Sequence, residues 1–408
     1  IPRPPRAGKT HRIMRLEIPR DCERIGSLQI YGLQKVYELD GGTGPHENDS
    51  MVERVPGEVL HDRMREMAIV VPVKNERLKL IEGVLVGIPS PCQVIVVSNS
   101  PRGPVDRFGL EKEALENFGR FTGKKILVVH QKDPGLAQAF GNAGYEHLLD
   151  ETGIVRSGKA EGMIVGTLLS KWLGKKYLGF VDSDNYFPGA VQEYVNEYAA
   201  GFAMNPGKNT FVRISWHSKP KVMENNLFFA KWGRSSVNSN AMLNRLLTQF
   251  SGFETEIVKT GNAGEHALTV DLALKLEYAA GYAVETHHYM NLLEQYGGIL
   301  ETTDPDVLRE KVTICQIESR NPHMHESKGD DHVEDMIDAS LSVIYHSPIC
   351  PELLKREIMD NVRARRGEAA PAEVAPVRVY PSLSELNLDE FMAGCDASLN
   401  FNAVTVRA

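Results

Sequence analysis

No run in the 408 residues reaches the roughly 18–20 consecutive apolar side chains that a membrane-crossing helix needs. The basic opening, Ile1 to Arg20, also lacks a continuous apolar stretch, so a secretory signal is not expected there. Cysteine is sparse: Cys22, Cys92, Cys315, Cys350 and Cys395 are dispersed and never form a CxxC pair. That spacing excludes a zinc ribbon and a disulfide framework and points to reduced thiols. An excess of positive charge is lacking too. The 46 Lys and Arg against 54 Asp and Glu give a net charge of -8, which argues against a general nucleic-acid binder. A small anion needs only a few local cations and is not excluded. There is no internal repeat and no GxxxxGK[ST] phosphate loop. The expectation is a soluble, cytoplasmic protein, with no nucleic-acid or membrane partner and a homodimer as its assembly.

What is present is a globular composition, 42% hydrophobic and 25% charged, with enough apolar surface for a large core. Short apolar runs at Ala68–Val73, Gln93–Ser98, Lys125–His130 and Tyr177–Val181 read as strands buried on both faces. A further strand is expected over Thr210–Trp216. Helical patterns lie between the runs, at Leu136–Leu149 and Glu161–Trp172. This alternation predicts an α/β fold around a mostly parallel sheet. The expected division is an N-terminal segment at 1–65, a catalytic domain at 66–300, a helical part at 301–366, and a linker and tail at 367–408.

In such sheets ligands bind beyond the carboxyl ends of the strands. Polar groups follow each run there: Lys74-Asn75-Glu76, Asn99-Ser100, Gln131-Lys132-Asp133 and Asp182-Ser183-Asp184. Two carboxylates two residues apart can share a hard cation, Mg2+ or Mn2+, which takes oxygen ligands and bridges phosphates. An isolated DxD also arises in solvated turns, so it needs company. His323 and His325, in Arg320-Asn321-Pro322-His323-Met324-His325-Glu326, are candidates for a further ligand. Arg156-Ser157-Gly158-Lys159 stands at a helix start, where backbone N–H groups and cations suit an anion. Thr260 to His266 reads as a helix beginning, with Asn262, Glu265, His266 and Thr269 on one polar face. Arg213, His217 and Lys219 read as surface cations.

These segments together resemble the mannosyl-3-phosphoglycerate synthase family. The resemblance rests on Val70–Glu76, Val97–Ser100, His130–Pro134, Gly158–Met163, Asp182–Gly189, Thr260–His266 and Asn321–Glu326, in that order, and runs from about residue 10 to about residue 365. It implies a GT-A-type, Rossmann-like sheet with a smaller helical C-terminal part. It implies mannose transfer from GDP-mannose to 3-phosphoglycerate with retention at the anomeric carbon, on the way to the compatible solute mannosylglycerate.

Asp182 and Asp184 match the family's metal acids, and its metal histidine falls on His323 or His325. On this reading Pro72, Val73, Asn75, Glu76, Ser98, Asn99, Gln131, Lys132, Asp133 and Asp182 face the donor. Arg156, Ser157, Gly158, Lys159, Asn262, Glu265 and His266 face the acceptor. Asp182, Asp184, Lys159 and Arg156 carry catalysis. Ser183 stands where the resemblance expects alanine, and Ala160 where it expects glycine.

Alternatives are a related transferase with another donor or acceptor (a glucosyl-3-phosphoglycerate or mannosylglycerate synthase) and a DxD sugar-phosphate phosphatase. The phosphatase needs a nucleophilic aspartate on the first strand, whereas this DxD follows several strands. A nucleotidyltransferase needs a basic glycine-rich loop that Pro72–Glu76 does not supply. A pure binding module has no use for both a carboxylate pair and an anion loop.

Overall fold

The computed structural model describes residues 13–38, 52–185, 187–223, 226–230, 233–301, 309–324, 330–367 and 370–398. The chain opens with strands β1 (Ile13–Glu17), β2 (Cys22–Ile25), β3 (Leu28–Glu38) and β4 (Val52–Pro56), then helix α1 (Gly57–Arg65). An alternating stretch follows: β5 (Met67–Val73), α2 (Leu78–Gly87), β6 (Gln93–Ser98), α3 (Arg107–Thr122), β7 (Lys125–His130) and α4 (Pro134–Asn142). It continues with α5 (Lys159–Trp172), β8 (Tyr177–Phe180), α6 (Pro188–Met204) and β9 (Asn209–Ser215). Next come the hairpin β10 (Lys219–Met223) and β11 (Asn226–Ala230), α7 (Arg234–Ser251), β12 (His266–Thr269), α8 (Val270–Lys275), β13 (Tyr278–Ala279) and α9 (Val284–Tyr296). The remainder is β14 (Val312–Glu318), α10 (Asp330–Tyr345), α11 (Glu352–Arg366), β15 (Val379–Tyr380) and α12 (Leu388–Ser398).

One large sheet organises the molecule, in the order β4-β1-β3-β14-β9-β12-β8-β5-β6-β7, with β2 paired to β3. Strands β7, β6, β5 and β8 are parallel to one another. So are β9, β14 and β3. Strand β12 lies between β8 and β9 and is antiparallel to both. The two parallel groups therefore point the same way, and β12, which joins them, runs against both. Their carboxyl ends share an edge with the amino end of β12.

Alternation along the strands builds two cores. Ala68 and Val70 join the layer under α4, α5, α7 and α9–α12. Met67, Ile69, Val71 and Val73 join the layer under α1, α2, α3 and α6. With both faces covered, every residue of β6 and β9 is buried, Arg213 of β9 included. Helix α5 lies close on the sheet because Gly166 has no side chain; a Cβ there would meet Val70 Cγ1 at 2.5 Å.

Four expectations change. The Thr260–Thr269 segment is not a helix: residues 266–269 form β12, all four buried. Its polar groups lie inside the fold, so they carry no solvated helical face. The helix expected over Leu136–Leu149 ends at Asn142, ahead of Gly144 at φ +74°. The part expected to be helical, 301–366, supplies β14 to the middle of the main sheet, so the boundary at 300 does not divide the fold. Within the expected linker and tail, β15 pairs with β13, and Phe391 of α12 is buried 5.0 Å from the Phe140 ring of α4.

Candidate active site

The shared edge gathers the loops that follow β5, β6, β7, β8, β9 and β14, together with the residues that precede β12. Asp182 comes directly after β8 and Val181, whose N–H still pairs with Val70 O at 3.1 Å. Its carboxylate is bound by Lys159 at the first position of α5, Nζ to Oδ1 at 2.7 Å. The same ammonium reaches Glu285 Oε1 of α9 at 2.8 Å. Burial alone would lower the Lys159 pKa, but Asp182 and Glu285 outweigh it and hold the ammonium well above its usual range. Lys159 was expected to hold the acceptor; its position ties it to the carboxylate pair. Ser183 and Asp184 are buried beside it.

Gly264, just before β12, lies against this group: a Cβ there would sit 2.7 Å from Asp182 Oδ2. Any larger residue there would therefore crowd that carboxylate. The next residue, Glu265, is fully buried and accepts a hydrogen bond from Trp216 Nε1 at 2.7 Å. The Trp216 indole stacks on the His323 imidazole, centroids 4.0 Å apart and 12° from coplanar. His323 Nδ1 stands 3.5 Å from Asn185 Nδ2, 3.4 Å from the Tyr194 hydroxyl and 3.9 Å from Glu265 Oε1.

The loop carrying His323 is held from below by Glu193 of α6. That buried carboxylate accepts from Arg320 N at 2.5 Å, Asn321 N at 2.9 Å and Asn321 Nδ2 at 2.6 Å. One turn on, Glu197 is fully buried and pushed well up, first by burial and then by the Glu193 charge.

On the opposite side of the edge, Ser98, expected at the donor, is fully buried and committed to Glu111. Ser98 Oγ donates to Glu111 Oε2 at 2.7 Å and Ser100 Oγ to Glu111 Oε1 at 2.7 Å. Ser100 Oγ also accepts from Asn75 N at 2.7 Å. Asn75 holds φ at 60°, a left-handed conformation uncommon outside glycine. The serines thus fix the turn after β5, leaving Asn75 exposed and Pro72, Glu76 and Asn99 half-buried, with Val73 buried. Gln131 is buried and donates from Nε2 to Arg156 O at 2.6 Å, linking the β7 loop to the Arg156–Lys159 loop. Asp133 caps α4, accepting from Gly135 N at 2.8 Å, while Lys132 is half-buried beside it.

Arg156 is half-buried and its Nε has no hydrogen-bond partner. Ser157 is exposed, and Gly158 lies under the Glu161 carboxylate that folds back over the helix start. Tyr380, from the C-terminal segment, donates to that carboxylate at 2.7 Å.

Two residues expected at the acceptor, His266 and Asn262, are packed inside the fold. His266 is fully buried between the Phe180 and Phe211 rings, with Nδ1 2.9 Å from Ala263 O. Burial first, then the nearby Arg213 charge, depress it to about 3, so it is a neutral core group. Asn262 is buried and accepts from Ser340 Oγ at 3.3 Å.

Arg213 is not at the surface. It is completely buried between the Phe211 and Tyr289 rings and donates to Thr260 O at 2.9 Å and Glu285 O at 3.0 Å. It braces the backbone that presents Glu285. His217 is exposed, 3.4 Å from Glu318 Oε1. The Lys219 side chain and all of His325 lie outside the described residues.

The chemistry of Asp182 and Asp184 fits a hard divalent cation, and the glycine at 264 spares Asp182 Oδ2 a side chain 2.7 Å away. Among the described residues no group of three His, Cys, Asp or Glu side chains is gathered closely enough to hold a metal ion. Sequence reasoning missed Glu193, Glu285, Glu111 and Trp216. The signal for the first two was a glutamate inside an otherwise apolar helical stretch, beside Tyr194-Val195 and Val284.

The sequence model of the mannosyl-3-phosphoglycerate synthase family matches residues 18–394. The chain is 44% identical to mannosyl-3-phosphoglycerate synthase of Pyrococcus furiosus over 381 residues, covering 93% of this chain and 96% of that one. It is 34% identical to the enzyme of the same name from Aeropyrum pernix over 386 residues, 93% and 99% of the two chains. Among solved structures, a looser likeness is to glucosyl-3-phosphoglycerate synthase of Mycobacterium tuberculosis in complex with Mn2+, UDP-glucose and phosphoglyceric acid. That match has a TM-score of 0.45 and 17% identity, over 84% of this chain and 96% of that one. With a family match across most of its length and a relative at 44% identity, the chain belongs to the mannosyl-3-phosphoglycerate synthase family of glycosyltransferases.

Proposed function

We propose that this enzyme transfers mannose from GDP-mannose to 3-phosphoglycerate with retention, on a GT-A-type sheet, to give mannosyl-3-phosphoglycerate. The observation that carries this reading is the pairing of Asp182 with Lys159 at the carboxyl edge of the parallel strands, next to the buried Asp184. A bound Mg2+ or Mn2+, held by Asp182 and Asp184 with His323 or His325, would supply positive charge against the departing diphosphate.

The protein groups have separate tasks. Asn75, Glu76 and Asn99, on the turns after β5 and β6, suit the nucleoside. Arg156 and Ser157, at the start of α5, suit the phosphate of the acceptor, because a guanidinium with an unpartnered Nε stands there beside a helix N-terminus. Lys159 holds Asp182 in place between α5 and α9.

The acceptor hydroxyl attacks the anomeric carbon on the face from which the diphosphate leaves. The carbon–oxygen bond to diphosphate breaks, the new glycosidic bond forms on the same side, and the hydroxyl proton passes to a diphosphate oxygen. Positioning supplies much of the rate in such a scheme.

The test is a matrix of nucleotide sugars against phosphorylated and unphosphorylated acceptors, run with and without a chelator. GDP-mannose with 3-phosphoglycerate should give the fastest turnover, chelation should silence it, and Asp184→Ala should abolish it. Turnover undiminished by chelation, or a trapped mannosyl side chain in mass spectra, would refute the scheme. We read the enzyme as cytoplasmic and homodimeric, and sedimentation of the purified protein checks the latter. Among the described residues no helix is long and apolar enough to cross a membrane.

A further inference from the structure

Helix α5 begins at a turn that is gripped from several sides. Arg156 N donates to Leu148 O at 3.0 Å, and Arg156 O accepts from Gln131 Nε2 at 2.6 Å. A further grip comes from the far end of the chain. Glu161, at the third position of α5, turns its carboxylate back over Gly158, where any Cβ would collide with Oε2. The Tyr380 hydroxyl donates to Oε1 of the same carboxylate at 2.7 Å. Both side chains are buried, Tyr380 at 1% exposure and Glu161 at 3%. Burial raises Glu161, and the bond from Tyr380 is the largest influence against it.

Tyr380 is itself fixed. It lies in β15, in register with Tyr278 of β13. The next residue, Pro381, offers its carbonyl to the Tyr145 hydroxyl at 2.5 Å, and Asn387 N donates to Ala143 O at 2.9 Å. The C-terminal segment is thus stitched both to α5 and to the loop that runs from α4 into it. A hydroxyl with a paired backbone behind it fixes the carboxylate it holds. That carboxylate fills the space over Gly158, so it sets how Arg156, Ser157 and Lys159 stand to one another.

We propose that Tyr380 is a positioning residue for the transfer. Through Glu161 it sets the turn at the start of α5, and with it the grip of Arg156 and Ser157 on the anionic acceptor. The proposal rests on the reading of that turn as the acceptor's phosphate site. It makes the stretch expected to be linker and tail a part of the active site.

Two measurements on the full chain test it. Tyr380→Phe removes one oxygen and keeps the ring in its buried seat. Hydrogen–deuterium exchange should then quicken at the backbone amides of residues 156–162 and stay as in the parent at β5 and β6. In steady-state kinetics the KM for 3-phosphoglycerate should rise about tenfold, the loss of one charge-assisted hydrogen bond, with kcat and the KM for GDP-mannose within about twofold of the parent. Glu161→Gln should raise the same KM, and the double variant should be no worse than the poorer single one. Unchanged exchange at residues 156–162, KM values that rise together for both substrates, or strict additivity would overturn the proposal. A rise confined to the GDP-mannose KM would uphold the positioning and reassign the turn to the donor. A parent chain inactive on this substrate pair would refute the substrate reading and leave the exchange result to decide the positioning.

Discussion

Lys159 is the residue on which the site's electrostatics turn, because one ammonium neutralises two carboxylates from different elements. Its folded pKa is raised, so its contribution to stability is complete below the unfolded lysine value. That contribution is lost only as pH climbs through the higher folded value. The contact is therefore intact throughout the neutral range. Removing the cation leaves the nearly buried Glu285 and its neighbour Asp182 facing each other. Lys159→Met should cost about 3 kcal/mol of unfolding free energy, read from urea denaturation midpoints. Adding Glu285→Gln should restore part of that loss, and a purely additive double variant would show that the two groups do not interact.

At the scale of elements, the decisive piece is β12. Running against its neighbours, it brings Gly264 and Glu265 to an edge otherwise made of strand carboxyl ends. A parallel strand in that place would present its own carboxyl flank instead, and Asp182 would lose the glycine beside it. The second device is α6, whose Glu193 takes three hydrogen bonds from the loop after β14. A glutamine retains one acceptor oxygen and turns an amide toward N–H groups, so the loop must shift. If His323 is a ligand, Glu193→Gln should weaken Mn2+ binding, measured by titration calorimetry, by about tenfold or more. Unchanged Mn2+ affinity would remove His323 from the metal site.

For the whole molecule, a buried imidazole cluster governs behaviour in acid. His266 and His287 are depressed to about 3 and about 4, and His288 goes well below its usual value, in each case mainly by burial. Unfolded, each histidine binds a proton near pH 6.5; folded, it does not until far lower. Each one therefore makes stability fall as pH drops from about 6.5, by about 1.4 kcal/mol per pH unit. The raised Glu197, Glu277 and Glu294 act in the opposite sense, since the folded state keeps their protons. The clean readout is thus a difference: His288→Leu should flatten the stability profile between pH 6 and pH 4 by about that slope. Parallel profiles for variant and parent would place His288 in contact with water.

Read from the residues alone, β5, β6, β7, β8 and the polar groups after each were legible, because strands buried on both faces leave unbroken apolar runs. The start of α5 was legible from its glycine and charges. The position of the acid pair at a strand's end was legible from the run before it, and the family from the order of seven short segments. The direction of β12, the burial of Arg213 and His266, and the commitment of Ser98 to Glu111 were not. A polar side chain carries the same letter whether water or a folded neighbour satisfies it. Only the assembled sheet, which brings residues 75, 111, 193, 264 and 285 to the groups they serve, decided which of them face solvent, substrate or core.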